Sequence, residues 1–270
     1  MYRVLEITTT TGCAVGCAYC PQRRFARAQK RVSRSHKLSL SSFRQCLSTV
    51  PADVDISFAG YSEPWLNRDC TTMVEHACAK GHGIRVFSTL VGMRFSDVNR
   101  LRHLPINLFV VHLFDDGTYM NPRYVTAEYR RLLQCVIESA IPSLKFLVFG
   151  ALHPDLEGTV PAAAIVRTRP LLSRAGNVDS AIVPLRTSLV GAIECAEGRE
   201  YRNVLLPNGD VTLCCMDYER RHVIGNLLLN DYADLHAGEA FQEILRRLAG
   251  ESGSLICRMC ENAKPQMSPL

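Results

Sequence analysis

Over the first two-thirds of this 270-residue chain, short apolar β-branched runs alternate with longer segments of helical period, and nothing else constrains its fold as strongly. Strands are predicted at 3–8, 53–59, 84–89, 108–113 and 144–149, with a sixth centred on 181–183. Helices are predicted at 40–49, at 69–80 up to the stop at Gly81, and at 126–140. Another is capped by Ser96, with Val98, Leu101 and Leu104 on one face, and a Pro-broken helical stretch covers 162–172. Parallel neighbours need long crossovers, and helices supply them, so six βα units in series imply a parallel sheet with helices outside. Closing partway, they give an α/β fold of the partial (β/α)6 TIM-like barrel kind. A flat doubly wound sheet is the alternative. In barrels the chemistry sits on loops at the C-terminal ends of strands. The first such loop holds Cys13, Cys17 and Cys20.

The period changes near residue 190. Residues 201–206 and 210–215 flank Asn208-Gly209, a hairpin signal. A helix follows at 239–248, with Phe241, Ile244, Leu245 and Leu248 on one face. We therefore expect a barrel over 1–190 and a small C-terminal module over 191–270. No Gly/Ser linker separates them, so tight packing is expected, and no internal repeat is present.

Hydrophobic residues at 47% and charged residues at 21% exclude a disordered or fibrous chain. Apolar runs such as 106–113 fall far short of the ~18 residues of a membrane span. A net charge of +5 does not by itself argue for nucleic acid. Twelve cysteines are the unusual count. The N-terminus lacks the basic and apolar regions of a secretory signal, so a cytoplasmic location with reduced thiols is expected. There, clustered cysteines point to metal or redox chemistry rather than cross-links. Cys46 lies on the helical stripe Phe43, Leu47, Val50, and Cys70 and Cys78 on the stripe Val74, Ala77; these read as packing residues. Cys135 sits beside the stripe of its helix and receives no role. Cys13-x3-Cys17-x2-Cys20 is different. Three thiolates on one short loop can ligate three irons of a [4Fe–4S] cube and leave the fourth iron open. A three-cysteine zinc site is the chemical alternative.

This C-x3-C-x-aromatic-C pattern, directly after the first strand of a βα series, resembles the signature of the radical S-adenosylmethionine superfamily. The resemblance covers roughly 1–190. It implies a cluster held by Cys13, Cys17 and Cys20, with the open iron chelated by S-adenosylmethionine, which reductive cleavage converts to a 5′-deoxyadenosyl radical that abstracts hydrogen. The cofactor then carries the hard chemistry and the protein positions it. Gly60-Tyr61-Ser62-Glu63-Pro64 resembles the family's Gly-Gly-Glu-Pro segment, which receives the methionine ammonium. Tyr61-Ser62 stands where the family has its second glycine. Ser88 and Thr89 match the hydroxyls that meet the methionine carboxylate or ribose. Tyr19 matches the aromatic position whose backbone contacts adenine.

Cys195, Gly209 and Cys214 fit C-x9-15-G-x4-C, which is similar to the opening of the SPASM/twitch auxiliary-cluster module. Cys257-x2-Cys260 supplies a further pair. The resemblance implies a second [4Fe–4S] cluster on Cys195, Cys214, Cys257 and Cys260, in the shorter twitch form, since no further cysteine follows. A zinc knot on the same four is the alternative. Cys215 is left over. Successive strand residues point to opposite faces, so Cys214 and Cys215 do not easily share one cluster. Cys215 either packs in the hairpin or acts as a hydrogen-donor thiol, and an off-by-one spacing would exchange the two roles.

The size and spacing resemble the 2-deoxy-scyllo-inosamine dehydrogenase type. That implies hydrogen abstraction from a small polar substrate (carbohydrate, aminocyclitol or nucleoside), completed as a two-electron oxidation by the auxiliary cluster in natural-product or carbohydrate biosynthesis. Radical epimerisation, sulfur insertion and peptide modification are the enzymatic alternatives, and a cysteine-ligated zinc or electron-carrier protein the non-enzymatic one. Peptide-modifying relatives often carry a leader-binding domain, for which 270 residues leave no room. A flavodoxin- or ferredoxin-type electron donor is implied. Polar groups at strand ends are His112, read as general base, Asp115, and Arg186, read as a hydroxyl or alkoxide partner. Arg23, Arg24, Arg27, Lys30, Arg31 and Arg34 form a basic run, read as a solvated loop or as a grip for a phosphorylated substrate. No aromatic interleaving supports RNA stacking, so no nucleic-acid partner is expected.

Overall fold

The computed structural model describes residues 3–161, 164–167 and 171–266. Six strands run parallel in sequence order: β1 (Val4–Ile7), β2 (Asp55–Phe58), β3 (Ile84–Ser88), β4 (Ile106–His112), β5 (Leu144–Val148) and β6 (Ile165–Arg167). Helices α1 (Gln22–Lys30), α2 (Leu40–Leu47), α3 (Cys70–Ala79), α4 (Phe95–Leu101) and α5 (Ala127–Glu138) lie between them. The period of two is visible along each strand. Leu5, Ile7, Ile56, Phe58, Ile84, Val86, Phe109 and Val111 are buried in the core. The alternate residues Glu6, Ser57, Arg85, Phe87 and His112 line a cleft on the other face. A parallel sheet with a packed outer face and a polar, cleft-lining inner face is the geometry of a partial barrel.

Local chemistry explains the helix starts. Ser39 Oγ accepts from Ser42 N–H ahead of α2, and Thr126 Oγ1 accepts from Tyr129 N–H ahead of α5. The start of α4 differs from expectation. Arg94, not Ser96, holds the cap position, and its N–H is taken by the Asp97 carboxylate at 2.8 Å. The sixth strand also lies elsewhere. Residues 179–183 turn, because the Asp179 side chain accepts from Ala181 N–H while its carbonyl accepts from Ile182 and Val183. Ile165-Val166 form β6 instead, as β-branched residues suit a strand. The helical stretch expected at 162–172 is therefore absent from 165–167 and from 171–172; residues 162, 163 and 168–170 lie outside the described residues. The basic run is partly helix α1, with Phe25 and Gln29 buried and its charged side chains exposed.

The C-terminal part comprises β7 (Ile193–Cys195), β8 (Arg202–Leu205), β9 (Asp210–Thr212), β10 (Val223–Asn226), α6 (Tyr232–Ala237), α7 (Glu239–Leu248) and β11 (Ala263–Pro265). The expected hairpin is β8–β9, turned at Gly209 with φ +87°. It does not stand beside the barrel. β8 pairs in parallel with β1, so one sheet runs β10-β9-β8-β1-β2-β3-β4-β5-β6. β7 and β11 form a separate antiparallel pair that sets Cys195 opposite Ala263.

Candidate functional site

A cleft of about 520 Å³ opens within the sheet's curve. Cys13, Cys17 and Cys20 reach it from the loop between β1 and α1, and Tyr19, Gly60, Ser62, Glu63, Ser88, Thr89, His112 and Cys215 line it as well. Sequence reasoning thus named residues from separate segments that share one cavity.

Gly60 lies two residues past the end of β2, at φ +58°, and a Cβ there would stand 2.3 Å from Thr8 Oγ1 and 2.8 Å from Thr8 N. Only glycine fits that close approach. The next N–H, of Tyr61, donates to Thr8 Oγ1 at 3.1 Å, and Ser62 Oγ accepts from Thr10 N–H at 3.3 Å. Glu63 is buried, and burial raises its pKa against the pull of its donors. Ser88 Oγ donates to its Oε1 at 2.5 Å; Thr89 N–H and Oγ1 donate to its Oε2 at 2.7 and 2.8 Å. Glu63, Ser88 and Thr89 are therefore one hydrogen-bonded wall joining the ends of β2 and β3.

None of the twelve cysteines is in a disulfide. Burial pushes Cys13 up to about 11 and Cys17 up to about 12, and neighbouring Cys20 adds to both. A second, apolar cavity is lined by Cys195, Cys214, Cys257 and Cys260 with Leu213, Met216, Leu248 and Ile256. Burial pushes Cys257 up to about 12, with Cys260 and Cys195 adding; Cys214 is also raised, by burial and then Cys215. The consecutive pair is split, though not by strand alternation: β9 ends at Thr212, and in the turn that follows Cys214 lines the apolar cavity and Cys215 the larger cleft.

These thiols fit clusters by the chemistry of the donor set. Three soft donors share the first cavity with a polar wall, and four share the second with apolar side chains and the Glu200 carboxylate. Among the described residues, no three His, Cys, Asp or Glu side chains stand where one metal ion would join them. A cube makes a different demand, with each thiolate on its own iron.

Several expectations need correction. Arg186 is not at the cleft. Its Nη1 donates to the carbonyls of Cys260 at 2.6 Å and Ala263 at 2.8 Å, so it ties the chain to the second cavity's rim. Asp115 is fully buried and accepts from the N–H groups of Gly117, Tyr119 and Met120, which fixes a loop. His112 lines the cleft, but burial, then the Arg174 cation, push it down to about 4. It is neutral near pH 7 and suits a hydrogen-bond acceptor better than a base poised near neutrality. No member of the basic run lines the cleft, and Arg24 pairs with Glu219 at 2.7 Å. Cys46 and Cys70 are buried, and Cys78 and Cys135 pack against the core, as packing residues do.

Among the cleft residues that sequence alone does not single out, three carry chemistry used below. Arg174 enters from a loop where both Arg174 and Ala175 have positive φ, 54° each. Tyr61, in sequence only a departure from a glycine motif, lines the cleft as well. Its ring lies 4.7 Å from Phe25 and 4.6 Å from Tyr218, and its hydroxyl donates to the Cys214 carbonyl at 2.8 Å. Tyr218, in turn, sets its hydroxyl 3.5 Å from Cys20 Sγ. The signal that was available was the aromatic residue four positions after Cys214.

The iron–sulfur cluster-binding domain SPASM matches residues 195–261. The chain superposes on BtrN in complex with AdoMet and 2-DOIA with a TM-score of 0.64 at 18% identity, over 97% of this chain and 93% of that one. Native anSMEcpe with bound AdoMet matches with 0.60 at 12%, over 96% and 86%. Streptococcus suis SuiB bound to precursor peptide SuiA matches with 0.56 at 12%, over 96% and 70%. At such identities the likeness is one of fold. No curated protein sequence matches the chain. Among the described residues, no helix is long and apolar enough to cross a membrane.

Proposed function

We infer that this chain, with the radical S-adenosylmethionine fold and a SPASM-type module of the short twitch kind, is an enzyme that abstracts hydrogen from a small polar substrate and oxidises it by two electrons. When bound, the first cluster with S-adenosylmethionine supplies a 5′-deoxyadenosyl radical, and the second cluster supplies an electron acceptor. The observation that carries the reading is the split at Cys214 and Cys215. One peptide places the second cavity's thiol directly behind the wall of the cleft.

The chain's own groups have definable tasks. Cys13, Cys17 and Cys20 would hold the first cluster; Cys195, Cys214, Cys257 and Cys260 the second. Tyr19, Gly60, Ser62, Glu63, Ser88 and Thr89 would form the cofactor's wall. Neutral His112 and cationic Arg174 face the same space and would orient hydroxyl or anionic groups. Cavities for one drug-sized ligand run to about 300–1,000 Å³, so a cleft of about 520 Å³ that takes the cofactor leaves room for a small partner only. The 93% overlap with BtrN in complex with AdoMet and 2-DOIA supports a small substrate over a peptide.

Cys215 favours a second reading. A thiol at the cleft can return a hydrogen atom to a substrate radical, which epimerises the substrate with no net change in its oxidation state; the thiyl left on Cys215 would be restored by one proton from solvent and one electron from the same external reductant that drives cofactor cleavage. Anaerobic reconstitution tests the class: about eight irons per chain and 5′-deoxyadenosine after reduction are expected. Tightly bound zinc without cofactor cleavage would sink it. Product analysis with aminocyclitols and sugars in D₂O separates the two reactions. Solvent deuterium at the product carbon, lost in Cys215→Ala, marks epimerisation; a carbonyl product retained in Cys215→Ala marks oxidation.

A further inference from the structure

The two cysteine sets are joined by a pair of tyrosines. Tyr218 is 4% exposed, and its hydroxyl lies 3.5 Å from Cys20 Sγ. Its ring packs 4.6 Å from that of Tyr61, whose hydroxyl binds the Cys214 carbonyl and Thr212 Oγ1 at 2.8 and 3.0 Å. The loop carrying Tyr218 is itself fixed. Asp217 accepts from Arg221 N–H at 2.8 Å and His222 N–H at 2.7 Å, and its own N–H donates to the Cys214 carbonyl at 3.0 Å. Tyr218 is thus held by the C-terminal module while its polar end touches a thiol of the first loop.

A phenylalanine would fill the same aromatic stack. A hydroxyl buried there without a partner would cost about 1–3 kcal/mol, and the partner it has is sulfur. A cluster-bound thiolate offers only lone pairs, so the phenol must be the donor. Hydrogen bonds to cluster sulfurs are among the factors that set the reduction potential. They favour the reduced cluster because it carries one more negative charge.

We propose that Tyr218 is a positioning residue through which the C-terminal module raises the reduction potential of the cluster on Cys13, Cys17 and Cys20. Gln22 Nε2 also reaches Cys20 Sγ, at 3.5 Å, so this sulfur receives one donor from each part of the chain. The barrel's own residue supplies a fixed contribution. The module's tyrosine supplies one that depends on the module being folded around Cys214.

This inference rests on the cluster assignment of the proposed function. The test is an EPR-monitored redox titration of the fully reconstituted protein and of Tyr218→Phe, with iron content measured in both. The variant should keep its iron, while reduction of the first cluster becomes about tenfold less favourable, a shift of about 59 mV to more negative potential. The parent should also show an exchangeable proton coupled to that cluster, lost in D₂O and weakened in the variant. A potential within twofold of the parent, about 18 mV, overturns the inference and leaves the functional reading standing. Should the variant fail to load, the parent decides, and absence of an exchangeable coupled proton overturns the inference. A parent that takes up no iron overturns the functional reading and this inference with it.

Discussion

Gly60→Ala puts one methyl group against the first strand of the sheet. The new Cβ would stand 2.3 Å from Thr8 Oγ1, 2.8 Å from Thr8 N and 2.9 Å from Thr8 Cα. Rotating the Thr8 side chain relieves the first contact and breaks its hydrogen bond with Tyr61 N–H. The two backbone contacts remain, and Thr8 N–H is already committed to the Leu205 carbonyl at 2.9 Å. Overpacking of this kind costs about 1–3 kcal/mol. The left-handed backbone at φ +58° adds about 1–2 kcal/mol for a residue with a Cβ. The expected loss is about 2–5 kcal/mol. With a urea m-value of about 3 kcal/mol/M, the midpoint falls by about 0.7–1.7 M. The chain's single tryptophan, Trp65, is 3% exposed and five residues away, and its fluorescence reports the transition. Gly12→Ala is the comparison: φ is +91° there, but a Cβ meets nothing within 4 Å. The difference between the two variants isolates the steric part. Equal midpoints for the two would refute the close approach of Gly60 to Thr8.

Cys214→Ala should lose about four irons per chain on reconstitution, whereas Cys215→Ala keeps about eight; iron analysis showing the reverse would exchange their roles. Arg186→Gln should weaken the module by about 1–3 kcal/mol, since a charged donor to two carbonyls is lost. Faster amide exchange across β11 would show it, and unchanged exchange would refute it. His222 is 6% exposed, its Nε2 accepts from Ile256 N–H, and burial pushes its pKa down to about 4. The unfolded chain, with an ordinary His pKa near 6.5, then binds the proton first. Its contribution is full above about pH 6.5 and is lost as the pH falls toward 4, by about 3 kcal/mol in all. Asp217, pushed up to about 6 by burial, acts in the opposite sense over the same range. The readout is therefore the difference between parent and His222→Gln, which should lack the His222 slope; identical slopes would refute it.

The βα alternation and the cysteine spacings were legible because both are local in sequence. Period-two burial in β1 to β3 and the loop after β1 follow from neighbouring residues alone. What was not legible arose from distant packing. Ala181 to Val183 have strand character, but Asp179 captures their N–H groups in a turn. Arg186 follows that turn and is claimed by carbonyls more than seventy positions away. Tyr61 looked like a blemish in a motif because its partners, Thr212 and Cys214, lie about 150 positions later. Cys215 is ambiguous in sequence because it lies in a turn beyond β9, whose path decides which of two consecutive thiols lines which cavity.

The pairing of β8 with β1 orders events in time. β1 takes β2 on one side and β8 on the other, and the β8 partners of Val4 to Ile7 are Arg202 to Leu205. At a synthesis rate of about 5–20 residues per second, roughly 200 residues separate these partners by about 10–40 s. During that interval β1 is an open sheet edge. The loop that follows it, with Cys13, Cys17 and Cys20, lacks its Tyr218 neighbour for as long. The first cysteine set therefore has its freest access to incoming iron before the last third of the chain is made, and the nascent barrel spends that time with an edge exposed to aggregation.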